Sequence, residues 1–156
     1  MATRGTITYT GMDALKPQEL RRAVKQQLQV VVDAWHSNIL PRHFKRGAKQ
    51  RYGYQERSAS YNKRKEKRYG HRRPLEYTGQ LKRQVLRKAR ITGTSKRATV
   101  SMDAPRYMYQ YKPGAPDKAA EITSVTQDEA ESMAIQLNRN LVLSINSDKR
   151  KRTVRV

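Results

Sequence analysis

The chain has 156 residues, no cysteine and a formal net charge of +21. That length fits a single domain with a modest core, and the missing cysteines exclude disulfides and thiolate metal sites. The longest apolar runs span three residues, too short for a membrane-spanning helix, and the first residues lack the apolar stretch of a signal peptide. We therefore expect a soluble protein that is made and used inside a cell.

The positive charge is concentrated in residues 42–97, which we call the basic segment. It holds 20 of the 34 Lys and Arg residues and only three acids, whereas residues 98–148 carry four basic and seven acidic residues. Neighbouring cations repel one another, so a face of this kind needs an anionic counterpart. Composition leaves nucleic acid, an acidic protein surface and anionic lipid open as that counterpart.

The first strong element is a long amphipathic helix, which follows a short alternating stretch at residues 7–10 that fits an edge strand. Pro17 suits an early helical position, and apolar residues then recur at steps of three and four. Pro41 predicts a kink, after which the pattern resumes as a second segment ended by Gly53. The apolar stripe of the first helix consists of Leu20, Val24, Leu28, Val31, Trp35 and Ile39.

Apolar residues become scarce between residues 54 and 73, which we call the basic arm. Residues 58–61 fit the start of a charged helix over residues 62–69, closed by Gly70. Repulsion among its cations opposes such a helix in water, so we expect either a flexible arm or one ordered by a partner. The candidate contacts of the arm with a partner or with phosphate are Arg57, Tyr61, Lys63, Arg64, Lys65, Lys67, Arg68, Arg72 and Arg73.

Shorter elements follow the arm. Thr78 is placed to cap a short helix, and residues 89–92 and 98–102 flank a turn, which predicts a β-hairpin. The alternating Tyr107, Tyr109 and Tyr111 predict one face of a strand, and residues 119–125 predict a last strand.

The final element is a helix opened by Thr126 and Glu129, which match a capping box. Together the elements predict an α+β fold, in which a long kinked N-terminal helix and a C-terminal helix pack on a small antiparallel β-sheet. We assign residues 1–148 to one domain that includes the basic arm, and residues 149–156 to a mobile basic tail. The basic residues of the tail are Lys149, Arg150, Lys151 and Arg152.

No constellation for catalysis or metal binding is apparent. His36 and His43 stand seven residues apart without carboxylates at metal-ligand spacing, and we expect surface or partly buried imidazoles. We therefore expect no enzymatic activity, no cofactor and no metal. The best enzymatic alternative is a metal-free nuclease, whose candidate catalytic residues are Tyr61, Lys63, Arg64 and His71.

Tyrosines are interspersed with the cations of the basic segment. Aromatic rings stack on nucleobases while Lys and Arg bind phosphates, but the same mixture is typical of wet protein–protein interfaces. We favour the protein interface slightly, because no recognised nucleic-acid module is visible. These tyrosines are Tyr52, Tyr54, Tyr61, Tyr69 and Tyr77.

An ordered series of motifs runs from Trp35 to Leu86. It contains Leu40-Pro41-Arg42-His43-Phe44, then Ala48, Tyr52-Gly53-Tyr54, Arg57, Tyr61 and Lys65, and ends in Pro74-Leu75-Glu76-Tyr77-Thr78-Gly79-Gln80-Leu81. With the order of the elements, this series resembles the small tail-completion and head–tail joining (neck) proteins of tailed bacteriophages. The high charge and the long basic linker depart from the usual pattern of that family. The family-like motif consists of Pro74, Leu75, Thr78, Gly79 and Leu81.

The resemblance implies a virion structural protein in the neck or tail region, assembled in the host cytoplasm. It implies a homo-oligomeric ring between portal and tail, with a hexamer favoured and a dodecamer as the portal-side alternative. The implied partners are neighbouring neck, portal-side or tail proteins, and no membrane. Residues 42–97 of one subunit and residues 98–148 of the next would form a head-to-tail interface.

The basic segment has two possible counterparts in such an assembly. If it lines a DNA channel, it would bind the phosphates of the packaged DNA and oppose the sliding of that DNA. If it docks on an acidic neighbouring ring, the DNA could still slide through the channel. We favour docking to protein, with contact of some arm residues with packaged DNA left open. The general alternative is a basic protein that binds the phosphate backbone of RNA or DNA.

Overall fold

The computed structural model describes residues 16–87, 89–108 and 114–153, with side chains up to residue 147. Within these residues the chain forms α-helices and one two-stranded antiparallel sheet, which confirms the α+β class. The candidate strand at residues 7–10 lies outside them, as do Tyr109 and Tyr111. The elements are α1 (Pro17–Ala34), α2 (Ala48–Tyr52), α3 (Ala59–Tyr69), α4 (Gln80–Val85), β1 (Arg90–Gly93), β2 (Ala98–Ser101), α5 (Lys118–Ile122) and α6 (Gln127–Thr153).

The predicted kink after the first helix is confirmed. Helix α1 passes into a π turn, Trp35–Ile39, and then into a 3₁₀ segment, Leu40–Phe44, which contains Pro41. Proline lacks an N–H and its ring clashes with the carbonyl four residues earlier, so a regular α-helix cannot continue through it. The predicted second segment is α2, and it ends at Gly53 in the left-handed conformation, as predicted.

Two apolar clusters form the core. The smaller joins α1 to α6 through Ala23, Val31, Leu137 and Leu141. The larger lies where the kinked segment meets α4 and α5, and it includes Trp35, whose predicted place in the core is confirmed. The buried members of the larger cluster are Trp35, Leu40, Phe44, Leu81, Val85, Met108 and Ile122.

The predicted β-hairpin is also confirmed. Strands β1 and β2 pair antiparallel from Arg90 opposite Ser101 to Gly93 opposite Ala98, and both strands contact α1. A Cβ atom at Gly93 would lie 2.9 Å from Cγ of Gln29, so glycine is what permits the close approach of the helix. The hairpin is thereby fixed on α1.

The predicted strand at residues 119–125 is wrong, and so is the strand position predicted for Tyr107. Residues 118–122 form α5, because the Asp117 carboxylate accepts a hydrogen bond from the Ala120 N–H (2.9 Å) and caps a helix there. Tyr107 lies in a 3₁₀ turn in which the Met108 N–H donates to the Pro105 carbonyl (2.9 Å). In both places a local capping or turn contact prevails over an alternating pattern of side chains.

Helix α6 begins with the predicted capping box. The Thr126 N–H donates to the Glu129 carboxylate and the Glu129 N–H donates to the Thr126 hydroxyl, both at 3.3 Å. The helix continues to Thr153, so the backbone of residues 149–153 is helical where a mobile tail was predicted. Basic residues near a helix C-terminus interact favourably with its dipole, which supports this extension. Among the described residues, no helix is both long and apolar enough to cross a membrane.

Candidate functional site: the basic arm and the cleft beneath it

The basic arm is folded within the single chain. Its helix α3 begins at Ala59, three residues earlier than predicted, because the Ser58 hydroxyl accepts a hydrogen bond from the Tyr61 N–H (3.3 Å). It ends at Gly70 in the left-handed conformation, as predicted. The expectation of a flexible or partner-ordered arm is therefore wrong, and the reason lies in contacts with distant residues.

The first of these contacts joins the start of the arm to α5. Arg57 donates two hydrogen bonds to the Glu121 carboxylate, at 3.0 Å and 2.5 Å, and the backbone N–H of Gln55 donates a third at 3.1 Å. Glu121 is buried. A two-pronged guanidinium–carboxylate pair fixes orientation as well as distance, so it holds the arm at a defined angle to the body.

A second buried carboxylate, Glu129 of α6, holds the residues before the arm. It accepts hydrogen bonds from Arg51 and from the Tyr52 hydroxyl, both at 2.9 Å, and Arg42 lies 3.6 Å away. Burial raises the pKa of Glu129, but the hydrogen bonds from Tyr52 and the Thr126 N–H, together with Arg51, outweigh it and the pKa lies below its ordinary value. Glu121 and Glu129 thus pair with the basic segment inside one chain.

His43 completes this network. It is fully buried, its Nδ1 lies 2.5 Å from the Tyr54 hydroxyl, and its ring stacks on Tyr52 at a centroid distance of 3.8 Å. Burial lowers the pKa of His43 to about 4 and raises the pKa of Tyr52 to about 12. His36 is also buried and its Nε2 lies 2.8 Å from the Val85 carbonyl. The prediction of surface or partly buried imidazoles is wrong for both, because the kink at Pro41 turns them into the core.

The outer side of α3 carries four cations on a single helix without a described carboxylate partner. Positions 63, 64, 67 and 68 share one side of a helix, and all four are exposed. None of the four has a described carboxylate within ion-pair distance, whereas seven other Lys and Arg residues of the basic segment do. Outside α3, seven further described cations of the basic segment also lack one: Lys45, Arg46, Arg83, Arg87, Arg90, Lys96 and Arg97. We call Lys63, Arg64, Lys67 and Arg68 the cationic face.

The inner side of α3 covers a cleft of about 580 Å³. Four tyrosines line it: Tyr61, which stacks on Tyr77 at 5.8 Å between centroids, together with Tyr54 and Tyr107. Lys65 lines the same cleft and is only 3% exposed. Its ammonium donates a hydrogen bond to the Arg73 carbonyl, and burial lowers the pKa of Lys65 to about 8.

The family-like motif borders the cleft and begins α4. Leu75 has a φ of 54°, a left-handed conformation that costs a leucine roughly 1–2 kcal/mol, and its packing on the larger core cluster opposes that strain. Gly79, with a φ of 77°, occupies the N-cap position that Thr78 was expected to hold. The Thr78 hydroxyl instead accepts a weak hydrogen bond from the Gln80 N–H (3.4 Å).

The structure divides the predicted site residues into groups. Four lie on the outer cationic face, and eight line the cleft. Arg73 pairs with Glu76 at 3.5 Å, and the basic residues 149–152 lie on the last turns of α6, where only the backbone is described. The predicted residues that line the cleft are Arg57, Tyr61, Lys65, Arg72, Pro74, Leu75, Thr78 and Leu81.

Sequence reasoning missed several residues of this site. Tyr107 and Lys118 line the cleft, with the Lys118 ammonium 5.1 Å from the centroid of the Tyr107 ring, and no local pattern links two positions so far apart. For the nuclease alternative, Tyr61 lies on the inner side of α3, whereas Lys63 and Arg64 lie on its outer side. Of the four residues of that alternative, only Tyr61 lines the cleft.

Chemically, the arrangement offers aromatic surface, a buried ammonium and an outer row of cations. Among the residues that the structure describes, no three His, Cys, Asp or Glu are placed to hold a metal ion. No protein-family model, curated protein or solved structure matches this chain.

Proposed function

We propose that the protein is a structural virion component of a tailed bacteriophage, a ring-forming neck or tail-completion subunit that joins the DNA-filled head to the tail. The observation that carries the proposal is the cationic face, which is exposed, lacks described carboxylate partners, and stands on a helix anchored by the Arg57–Glu121 pair. A rigid face of one charge sign favours docking on a surface of the opposite sign.

Exposed apolar residues on α6 support the ring. Ile135, Val142 and Leu143 are 69%, 47% and 59% exposed. Spacings of seven and eight residues place them on one side of a helix. A stripe of this kind in a free subunit is poorly compatible with water, and a neighbouring copy would cover it in a closed ring.

The sheet supports the same proposal. Only two described strands pair, so each leaves one edge of N–H and C=O groups without a described strand partner. Open edges readily accept a strand from another chain. We favour a hexameric ring, with a dodecamer as the alternative.

The electrostatics favour an acidic protein neighbour over DNA as the main counterpart. With four phosphate contacts, the binding constant for DNA would fall by about 3.6 log units per log unit of salt concentration. Such binding would be strong at low salt and would hinder the sliding of the duplex. Docking of the cationic face on protein would leave the DNA path free. Contact with packaged DNA is the secondary role in this proposal.

The test reverses the charge of the cationic face in the phage genome that encodes the protein. Lys63→Glu, Arg64→Glu, Lys67→Glu and Arg68→Glu together should yield DNA-filled heads and separate tails in electron micrographs. A control with equal charge change reverses Arg21, Arg22, Lys25 and Arg87, which are also exposed and lie outside both the cationic face and the exposed apolar side of α6. Normal joining by the cationic-face variant, with its thermal unfolding unchanged, would refute the proposal.

A general nucleic-acid-binding role is the second candidate. It is favoured by the tyrosine rings of Tyr61, Tyr69 and Tyr77, which lie in contact with one another within the cationic arm. Fluorescence anisotropy with labelled single-stranded DNA, duplex DNA and structured RNA separates the two. Tight binding that persists at physiological salt favours this second role, and binding confined to low salt favours the virion role.

A further inference from the structure

Lys65 is the most unusual charged residue in the described chain. Its side chain is 3% exposed, yet no described carboxylate lies within ion-pair distance, and one carbonyl, that of Arg73, accepts from its ammonium. An ammonium has three N–H donors, so two of them lack a described acceptor. Burying a charge without a matching partner is costly, and such a group points to an anion that comes from outside the chain.

Three of the other four cations that line the cleft are already matched. Arg57 pairs with Glu121, Lys49 with Glu56 and Arg72 with Glu66. Lys118, which lies over the Tyr107 ring, is the second lining cation without a described carboxylate. The cleft therefore offers one buried positive charge and one positive charge at the Tyr107 side.

The remaining lining is apolar and aromatic. Pro74, Leu75 and Leu81 contribute aliphatic surface, and Tyr61 and Tyr77 contribute rings. The volume of about 580 Å³ is within the range of roughly 300–1,000 Å³ typical of ligand-binding clefts. An occupant must then combine an anionic group with adjacent apolar surface.

A peptide segment fits this description better than nucleic acid. The cations that could follow a phosphate backbone lie on the opposite side of α3, on the cationic face. Inside the cleft, the Glu56 carboxylate would repel a chain of phosphates. A carboxylate on a short side chain, by contrast, can reach a buried ammonium while its backbone stays outside.

We propose that the cleft binds an extended segment of a neighbouring virion protein, in which an Asp or Glu side chain forms an ion pair with Lys65 and an adjacent apolar side chain packs on Tyr61 and Tyr77. The occupant is a neighbour in the assembly, so the inference rests on the proposed function and assigns it a second, specific contact. The cationic face raises the rate at which the acidic neighbour associates, and the cleft provides the specificity for the bound segment.

The binding test compares two labelled pentapeptides, Gly-Leu-Glu-Phe-Gly and Gly-Leu-Gln-Phe-Gly, on the full chain by fluorescence anisotropy. We expect the Glu peptide to bind about tenfold more tightly than the Gln peptide, a preference that Lys65→Met abolishes. Lys63→Met, on the outer side of the same helix, should keep the preference. Equal binding of both peptides, binding of neither, or an unchanged preference in Lys65→Met would overturn the inference.

A measurement on the wild-type protein tests the same ion pair without relying on a variant that could misfold. NMR titration of the Lys65 side chain should show its pKa rising from about 8 when the Glu peptide is added, and not when the Gln peptide is added. Displacement of the Glu peptide by short single-stranded DNA in a Lys65-dependent manner would assign the cleft to nucleic acid instead.

The two proposals fail separately. If the peptide preference is absent while charge reversal of the cationic face still blocks head–tail joining, the cleft inference fails and the proposed function stands. If the preference is present while that variant joins heads to tails normally, the cleft binds an acidic segment outside a phage neck.

Discussion

Replacing Lys65 by methionine should stabilise the free subunit. The pKa of Lys65 falls from 10.5 to about 8 on burial. A difference of 2.5 pKa units at about 1.36 kcal/mol each means that the charged form is disfavoured in the folded state by roughly 3 kcal/mol. Methionine has similar length and no charge, and losing the hydrogen bond to the Arg73 carbonyl costs about 1–1.5 kcal/mol. We expect a net gain of about 1–2 kcal/mol.

Urea unfolding of Lys65→Met and wild type measures this gain, with Lys63→Met as an exposed control that should change stability by less than about 0.5 kcal/mol. The gain should depend on pH. The folded-state pKa is below the unfolded one, so the unfolded chain holds more protons between pH 8 and pH 10.5, and wild-type stability rises relative to the variant over that window. The advantage of Lys65→Met should therefore shrink as pH rises.

Two results would refute this reasoning. One is a Lys65→Met protein less stable than wild type at neutral pH, which would mean that the ammonium is favourably solvated within the single chain. The other is a stability difference that stays constant up to pH 10.5, which would mean that Lys65 titrates with its ordinary pKa. Either result would also remove the argument that Lys65 awaits an external anion.

Three further predictions follow from the buried network and from α6. Because the pKa of His43 is lowered to about 4, the unfolded chain binds a proton before the folded chain does as pH falls below 6.5. The free energy of unfolding of the wild type, measured in urea, should therefore drop between pH 6.5 and 4 by up to about 3 kcal/mol more than that of His43→Gln. The same dependence of unfolding free energy on pH in both proteins would contradict the prediction. Glu129→Ala leaves Tyr52 and the half-exposed Arg51 without their acceptor and should cost about 1–3 kcal/mol by urea unfolding, against a small effect of the exposed Glu131→Ala. If the proposed ring forms, changing Ile135, Val142 and Leu143 to serine should convert it to monomers in native mass spectrometry, and an unchanged oligomer would exclude this side of α6 as the contact.

The correctly predicted parts of the fold depend on local signals. Pro41 breaks a helix whatever surrounds it, and the capping box at Thr126 and Glu129 is closed by residues three apart. The hairpin required only two short strands around Gly93. In each case the deciding contact lies within a few residues along the chain, where a pattern in the sequence can register it.

The errors about the arm and the histidines concern long-range contacts, unlike the strand errors, which arose from local caps and turns. The order of the arm depends on Arg57 reaching Glu121, 64 residues away, and nothing local distinguishes Glu121 from a surface acid. The burial of His43 depends on Tyr54 and on the position of α6, which no periodicity encodes. Sequence reasoning proposed the arm as a candidate site but could not show that its two sides differ, because the inner side is defined by residues such as Tyr107 and Lys118.

The separation between the arm and its carboxylate partners also matters during synthesis. Arg51 and Arg57 leave the ribosome 78 and 64 residues before Glu129 and Glu121. At about 5–20 residues per second, the emerging chain spends roughly 3 to 16 seconds with its basic segment exposed and its anchors not yet made. The basic segment therefore gains these two internal carboxylate partners only after the C-terminal third of the chain has been synthesised.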